Sequence, residues 1–187
     1  RVHGPDAVAF LQGQLSQDVS ALEVGASAPS LLLQPTGKVD AWLRVTRVGD
    51  DEVLLDVHPG FGDPVHARLR RFKLRTKAEL EPGRWSGLAV RGPGAEAVAV
   101  PAGALRLAAA WPGVESVDLL APGGLTLAGT PMVEEPALEA LRIECGVPAM
   151  GAELTEATIP AEAGQWFIDA SVSFTKGCYT GQGSWPV

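Results

Sequence analysis

An α+β fold is what this chain of 187 residues predicts, on three observations. Segments with helical spacing of apolar residues mix with period-two segments. The mixture lacks the regular β-α-β alternation of a parallel sheet. A Pro82-Gly83 break separates two such sets, giving expected α+β lobes over 1–82 and 83–187. At this length folding buries roughly 70% of the surface the unfolded chain exposes, so no metal or disulfide staple is required.

The elements follow in order. Gly4 or Asp6 starts a first helix, with Pro5 near the position where its missing N–H is harmless, and Val8, Leu11, Leu15 and Val19 form its apolar stripe. Leu31-Leu32-Leu33 reads as a buried strand stopped by the Pro35-Thr36-Gly37 turn. The next strand alternates, with Val39, Ala41, Leu43 and Val45 on one face and Asp40, Trp42, Arg44 and Thr46 on the other. Gly49-Asp50-Asp51 closes a hairpin into Val53, Leu55 and Val57. A helix enters at Asp63-Pro64 and buries Val65, Leu69 and Phe72. Leu74, Thr76, Ala78 and Leu80 then alternate with Lys73, Arg75, Lys77 and Glu79 as a strand would. Beyond the break, strands are expected around 88–90, 105–108, 117–120 and 125–127. A helix from Glu134-Glu135-Pro136 carries Leu138, Leu141 and Cys145 inward and ends at Gly146 and Pro148. Residues 147–164 read mainly as loop, and Val172-Ser173-Phe174 as a strand leading into Thr175-Lys176-Gly177-Cys178-Tyr179-Thr180-Gly181-Gln182.

Composition narrows the function classes. Hydrophobic residues make up 46% and charged residues 20%, as in a globular protein. No apolar run approaches the ~20 residues of a bilayer crossing, and the opening Arg1-Val2-His3-Gly4-Pro5 has no apolar signal segment. Two cysteines do not make a secreted disulfide framework. Cytoplasmic location without a membrane partner is therefore the expectation. The net charge of −7 argues against a surface devoted to nucleic acid. Yet six of the 15 Lys and Arg residues fall between Arg68 and Lys77. That cluster is either a solvated face or a surface recruiting anions. Without interleaved aromatic residues, direct nucleic-acid binding is not expected.

Several motifs are weak. Gly92-Pro93-Gly94-Ala95-Glu96-Ala97 has the spacing of a dinucleotide fingerprint, but Pro101 stops any following helix too early, so it reads as a turn. His3, His58 and His66 are not at metal-ligand spacing with either cysteine, so no metal is expected. Asp40 interrupts an apolar strand, either as a solvated side chain or as a site carboxylate. Cys145 belongs to a helix core. Cys178 differs, because it follows a Lys-Gly turn and could open a short helix whose N–H groups, with Lys176, stabilise a thiolate. Such a thiol would be a nucleophile, a redox sensor or a transient metal ligand; the alternative is a turn cysteine filling a crevice.

Lys176-Gly177-Cys178-Tyr179-Thr180-Gly181-Gln182 resembles the K-G-C-Y-x-G-Q-E signature of the YgfZ family, folate-binding proteins related to the glycine-cleavage T-protein, an aminomethyltransferase. The stretches from Phe10 to Val19, Pro35 to Val39, Phe72 to Lys77, Leu141 to Glu144, Gly151 to Leu154 and Ile159 to Gly164 agree in order. The resemblance implies α+β lobes around a central opening that holds tetrahydrofolate or a derivative, with a C-terminal barrel alongside. Here Gly183 replaces the signature glutamate, and the five residues that follow Gln182 leave no room for that barrel.

By the same resemblance, Asp40, Arg142 and Glu144 are placed to hold the pterin, with Arg75 and Lys176 as further cofactor-binding cations. A fixed carboxylate suits the N–H edge of a pterin through charge-assisted bonds. Cys178 is the functional thiol, and Asp40 the group that positions or deprotonates a substrate amine. The implied function is that of an accessory factor for iron–sulfur cluster assembly or repair, with iron–sulfur proteins as partners and tRNA-modifying enzymes among those affected. The alternative is a tetrahydrofolate-dependent aminomethyl or one-carbon transferase.

Overall fold

The computed structural model describes residues 1–109 and 111–184, so the last three residues of the terminal pentapeptide lie outside the described part. Two compact units result, one formed by 1–82 together with 149–187 and the other by 83–148. The second unit begins at Gly83 and ends at Pro148. Residues 149–187, assigned to the second lobe from sequence, return to the first. The reason is burial: Leu154, Phe167, Ile168, Val172 and Tyr179 share a core with Leu31, Leu33 and Val39.

The first unit is built on a sheet of five strands, β1 (Val2–His3), β2 (Ser27–Leu33), β3 (Val39–Gly49), β4 (Glu52–Val57) and β5 (Glu79–Leu80), in the order β2-β3-β4-β1-β5 with antiparallel pairing throughout. Helices α1 (Ala7–Gln14) and α2 (Gly62–Phe72) contribute Ala7, Phe10, Leu11, Val65 and Leu69 to one core, against Leu32, Ala41, Leu43, Val45 and Val53. The opposite core receives residues 150–179. Trp42 tilts against Phe167 there, with ring centroids 5.3 Å apart, and donates its indole N–H to the Ser171 hydroxyl at 3.0 Å. A sheet covered on both faces needs apolar residues on both, which accounts for the unbroken Leu31-Leu32-Leu33 run.

One strand departs from simple alternation. Leu32 pairs with Ala41 and Leu33 with Val39, so Asp40 is an extra residue with no partner on β2. This β-bulge sends Val39 to the core of Leu31 and Leu33 while Ala41 stays in the other. Val39 and Ala41 therefore do not share a face, contrary to the alternation read from sequence.

The strand expected over 73–80 shrinks to Glu79–Leu80. Its upstream part is held by the Gly4–Asp6 loop instead. Lys77 donates its N–H to the Asp6 carboxylate at 2.8 Å and accepts the Asp6 N–H at 3.2 Å. Gly4 packs so closely that a Cβ would lie 2.6 Å from the Lys77 carbonyl. Leu74, 79% exposed, buries nothing. The basic residues thus lie on the end of α2 and an irregular loop, not on a strand face.

The second unit holds β6 (Ser86–Arg91), β7 (Leu105–Ala108) and β8 (Ser116–Ala121) in the antiparallel order β6-β8-β7, with α3 (Glu135–Glu144) following. No strand forms at 125–127. Neither sheet closes into a barrel among the described residues. In the first unit α4 (Gln165–Ser171) occupies a stretch left unassigned from sequence, and Val172-Ser173-Phe174 is not a strand but the exit from that helix.

Candidate functional site: the cysteine loop and the Asp40 bulge

The segment from Lys176 to Gln182 is a loop with buried anchors around an exposed thiol. Cys178 is exposed, while Lys176 and Tyr179 on either side are 9% and 8% exposed. Lys176 turns inward. Its ammonium donates to the carbonyls of Gln12 at 2.7 Å, Leu15 at 2.6 Å and Gln17 at 2.9 Å, and lies 5.0 Å from the centre of the Tyr179 ring. Burial pushes this ammonium down to about 8, against the opposing pull of Asp18. Burial also raises the Tyr179 phenol.

The loop's far end is equally fixed. Thr180 donates its N–H to Gly13 O at 3.2 Å, and Tyr179 donates its own to the Gln182 side chain at 3.3 Å. Gly181 has φ of +86°, and a Cβ there would lie 2.5 Å from Gln34 O and 2.7 Å from Leu33 Cβ. Only glycine accommodates both demands. Gln182 to Ser184 form a 3-10 turn, so Cys178 does not open a helix. Instead the loop meets α1 at its C-terminal end, where the helix dipole is negative. The ammonium expected beside the thiol is spent on that end.

The Gln12 to Asp18 stretch explains itself by the same contacts. Ser16, fully buried, accepts the Leu31 N–H at 2.8 Å and donates its hydroxyl to Ser171 O at 2.6 Å. Gln17 reaches Pro29 O and Ala170 O, both at 3.3 Å. Ser16 and Gln17 join α1, β2 and α4, and the same stretch supplies the Gln12, Leu15 and Gln17 carbonyls to Lys176.

At the bulge, Asp40 Oδ2 accepts Arg68 Nε at 2.9 Å, and Arg68 Nη2 donates to Leu33 O at 3.2 Å. The guanidinium lies 3.9 Å over the Phe72 ring. Asp40 is half-buried, and its Oδ1 has no hydrogen-bond partner among the described residues. The Arg68 contact and the Gly181 contact meet on one piece of backbone, Leu33-Gln34 at the end of β2. Arg68 stood in the sequence as one cation of a cluster; nothing local marks it as the partner of a carboxylate 28 residues away.

The remaining expected site residues are placed differently. Arg142 is buried on α3 and forks onto Glu139, Nη2 to Oε1 at 2.6 Å and Nε to Oε2 at 2.8 Å, with a further bond from Nη1 to Val147 O. Glu144 is exposed on the same helix. Residues two apart on a helix do not face each other, so Arg142 is paired with Glu139 and not with Glu144. Arg75 is exposed with φ of +57°, an uncommon conformation for a residue with a side chain. Cys145, expected in a helix core, caps the C-terminus of α3 and is only partly buried.

The sequence profile of the GCVT N-terminal domain matches residues 1–108. This chain belongs to the GCVT N-terminal domain family. Among relatives, an uncharacterized protein of Haemophilus influenzae is 26% identical over 186 residues, covering 97% of this chain and 62% of its own length. An aminomethyltransferase of Thermus thermophilus is 30% identical over 190 residues, covering 85% of this chain and 54% of its own. The chain thus spans between half and two thirds of the length of these family relatives. The crystal structure of glycine cleavage system aminomethyltransferase T from Bartonella henselae superposes with a TM-score of 0.74 at 22% identity, over 90% of this chain and 55% of that one. The fold is accordingly that of the glycine-cleavage T-protein, as the family resemblance implied. Among the described residues, no helix is long and apolar enough to cross a membrane.

Proposed function

We propose that this chain is the folate-binding part of a YgfZ-like accessory factor for iron–sulfur cluster assembly or repair, with Cys178 as its reactive or cluster-contacting group. The observation that carries this reading is the presentation of Cys178: an exposed thiol between two buried anchors, on a loop whose hydrogen bonds hold it away from the core. A cysteine serving only to fill space would be expected inside.

The residues at the bulge fit a folate. Asp40 keeps Oδ1 available as an acceptor while Arg68 fixes Oδ2, the arrangement a donor-rich pterin edge needs. An anionic tail suits Arg75 and Lys77, both exposed cations. When bound, a reduced folate supplies a one-carbon carrier; the chain's own part is to orient it by hydrogen bonds and to present the thiol. Tetrahydrofolate titration followed by tryptophan fluorescence tests the binding arm. Saturable quenching weakened by Asp40→Ala supports it, and an unchanged signal removes it. For the thiol, Cys178→Ala is expected to abolish support of cluster-dependent enzymes, tRNA-modifying ones included, while folate affinity is kept. Retained support refutes the role.

A second reading, a tetrahydrofolate-dependent aminomethyltransferase, is favoured by the bulge itself, since bulges re-aim side chains beside active sites. In that reading Asp40 positions the substrate amine. Tetrahydrofolate-dependent conversion of an S-aminomethyl thioether to free thiol, ammonia and methylenetetrahydrofolate, lost in Asp40→Asn, would promote it over the first.

A further inference from the structure

Lys176 neither faces solvent nor points along the loop toward Cys178. Its three N–H donors go to three carbonyls, those of Gln12, Leu15 and Gln17. Two residues beyond the thiol, the Thr180 N–H goes to Gly13 O. The carbonyls at the end of α1 have no partners within the helix. Here Gln12 O and Gly13 O are both satisfied by the cysteine loop, from opposite sides of Cys178. The helix end and the loop therefore complete each other's hydrogen bonding, and a cation at a helix C-terminus is electrostatically matched to it.

From this geometry we propose that Lys176 is a positioning residue for Cys178, pinning the loop to the C-terminal end of α1 so that the thiol is held outward in one orientation. The inference rests on the reading of Cys178 as the functional group. It replaces direct activation by a neighbouring cation with orientation through a buried one. The Phe10 to Asp18 stretch acquires a purpose in the same step, because its backbone is the seat of the pin.

The test uses the full chain in a Cys145→Ser background, leaving Cys178 as the single thiol to carry a methanethiosulfonate nitroxide label. The electron paramagnetic resonance line shape reports the label's freedom under native conditions. The expected result is a motionally restricted component in the parent protein that is lost in Lys176→Met, with parallel loss of hydrogen-exchange protection at the Thr180 amide. A lysine that merely added global stability would lower the unfolding midpoint and leave the native line shape unchanged; that outcome overturns the proposal. Where Lys176→Met does not fold, Lys176→Arg decides. It keeps the cation but enlarges it, and is expected to alter the line shape in a folded chain; an unaltered line shape overturns the proposal equally. Failure of the functional reading is separate, since Cys178→Ala with intact cluster support would refute the thiol's role without touching these spectra.

Discussion

At the scale of single residues, the cysteine loop depends on two that never touch a reacting group. Gly181 answers a positive φ and a backbone approach together. Gly181→Ala is expected to cost roughly 2 kcal/mol or more, lowering the Tm by about 4–8 °C in a protein of this size. Thermal unfolding followed by circular dichroism checks it. Lys176 gives a pH signature. Its ammonium is pushed down to about 8 in the folded chain, from an ordinary 10.5. Between those values the unfolded chain binds a proton that the folded chain has released, so the lysine's contribution to stability rises with pH across that window. Compared with Lys176→Met, the parent protein should gain urea resistance between about pH 7.5 and pH 9.5. The buried Tyr179 phenol, raised above its ordinary value, titrates beyond that range. A difference that stays flat or falls with pH would contradict the assignment.

Among the elements, α1, β2 and α4 meet through Ser16 rather than through apolar contact alone. Ser16→Ala leaves the Leu31 N–H without its acceptor in a fully buried position. An unsatisfied buried donor costs about 1–3 kcal/mol, so the variant should unfold at clearly lower urea than the parent. A change in the slope of the transition would instead point to altered compactness. The bulge in β3 makes a second prediction. Deleting Asp40 would remove the extra residue and leave Val39 opposite Leu33 beside the Ala41–Leu32 pair, so Val39 keeps the core it shares with Phe167. The deletion and Asp40→Ala both remove the contact to Arg68 and keep the register, so urea unfolding is expected to show similar losses of stability; a far larger loss in the deletion would contradict the bulge.

For the whole molecule, the return of 149–187 to the first unit is decisive. A chain ended at Pro148 would expose Leu31, Leu33 and Val39, all fully buried in the intact protein. Exposed apolar area of that kind favours aggregation. Such a chain should bind a hydrophobic dye such as anilinonaphthalene sulfonate, whereas an independently folded 1–82 lobe would not. The break at Pro82-Gly83 was legible because proline and glycine punctuate locally. The boundary at Pro148 was not, because it depends on which sheet face the returning chain covers. The same sheet explains the Leu31-Leu32-Leu33 run, which signalled burial on both sides without saying by what.

The sequence by itself determined the α+β class, the hairpin, the helix entries at Asp63-Pro64 and Glu135-Pro136, and the singular setting of Cys178. These are short-range signals, carried by periodicity and by turn residues whose dihedral limits act within a few positions. It also marked Asp40 as out of place in an apolar strand. Tertiary structure alone decided that Asp40 sits in a bulge beside Arg68, that Arg142 answers Glu139 and not Glu144, and that the Lys176 ammonium ends on carbonyls more than 150 positions away. Those outcomes rest on satisfying buried polar groups, a condition set by what lies nearest in space, for which adjacency along the chain is no guide.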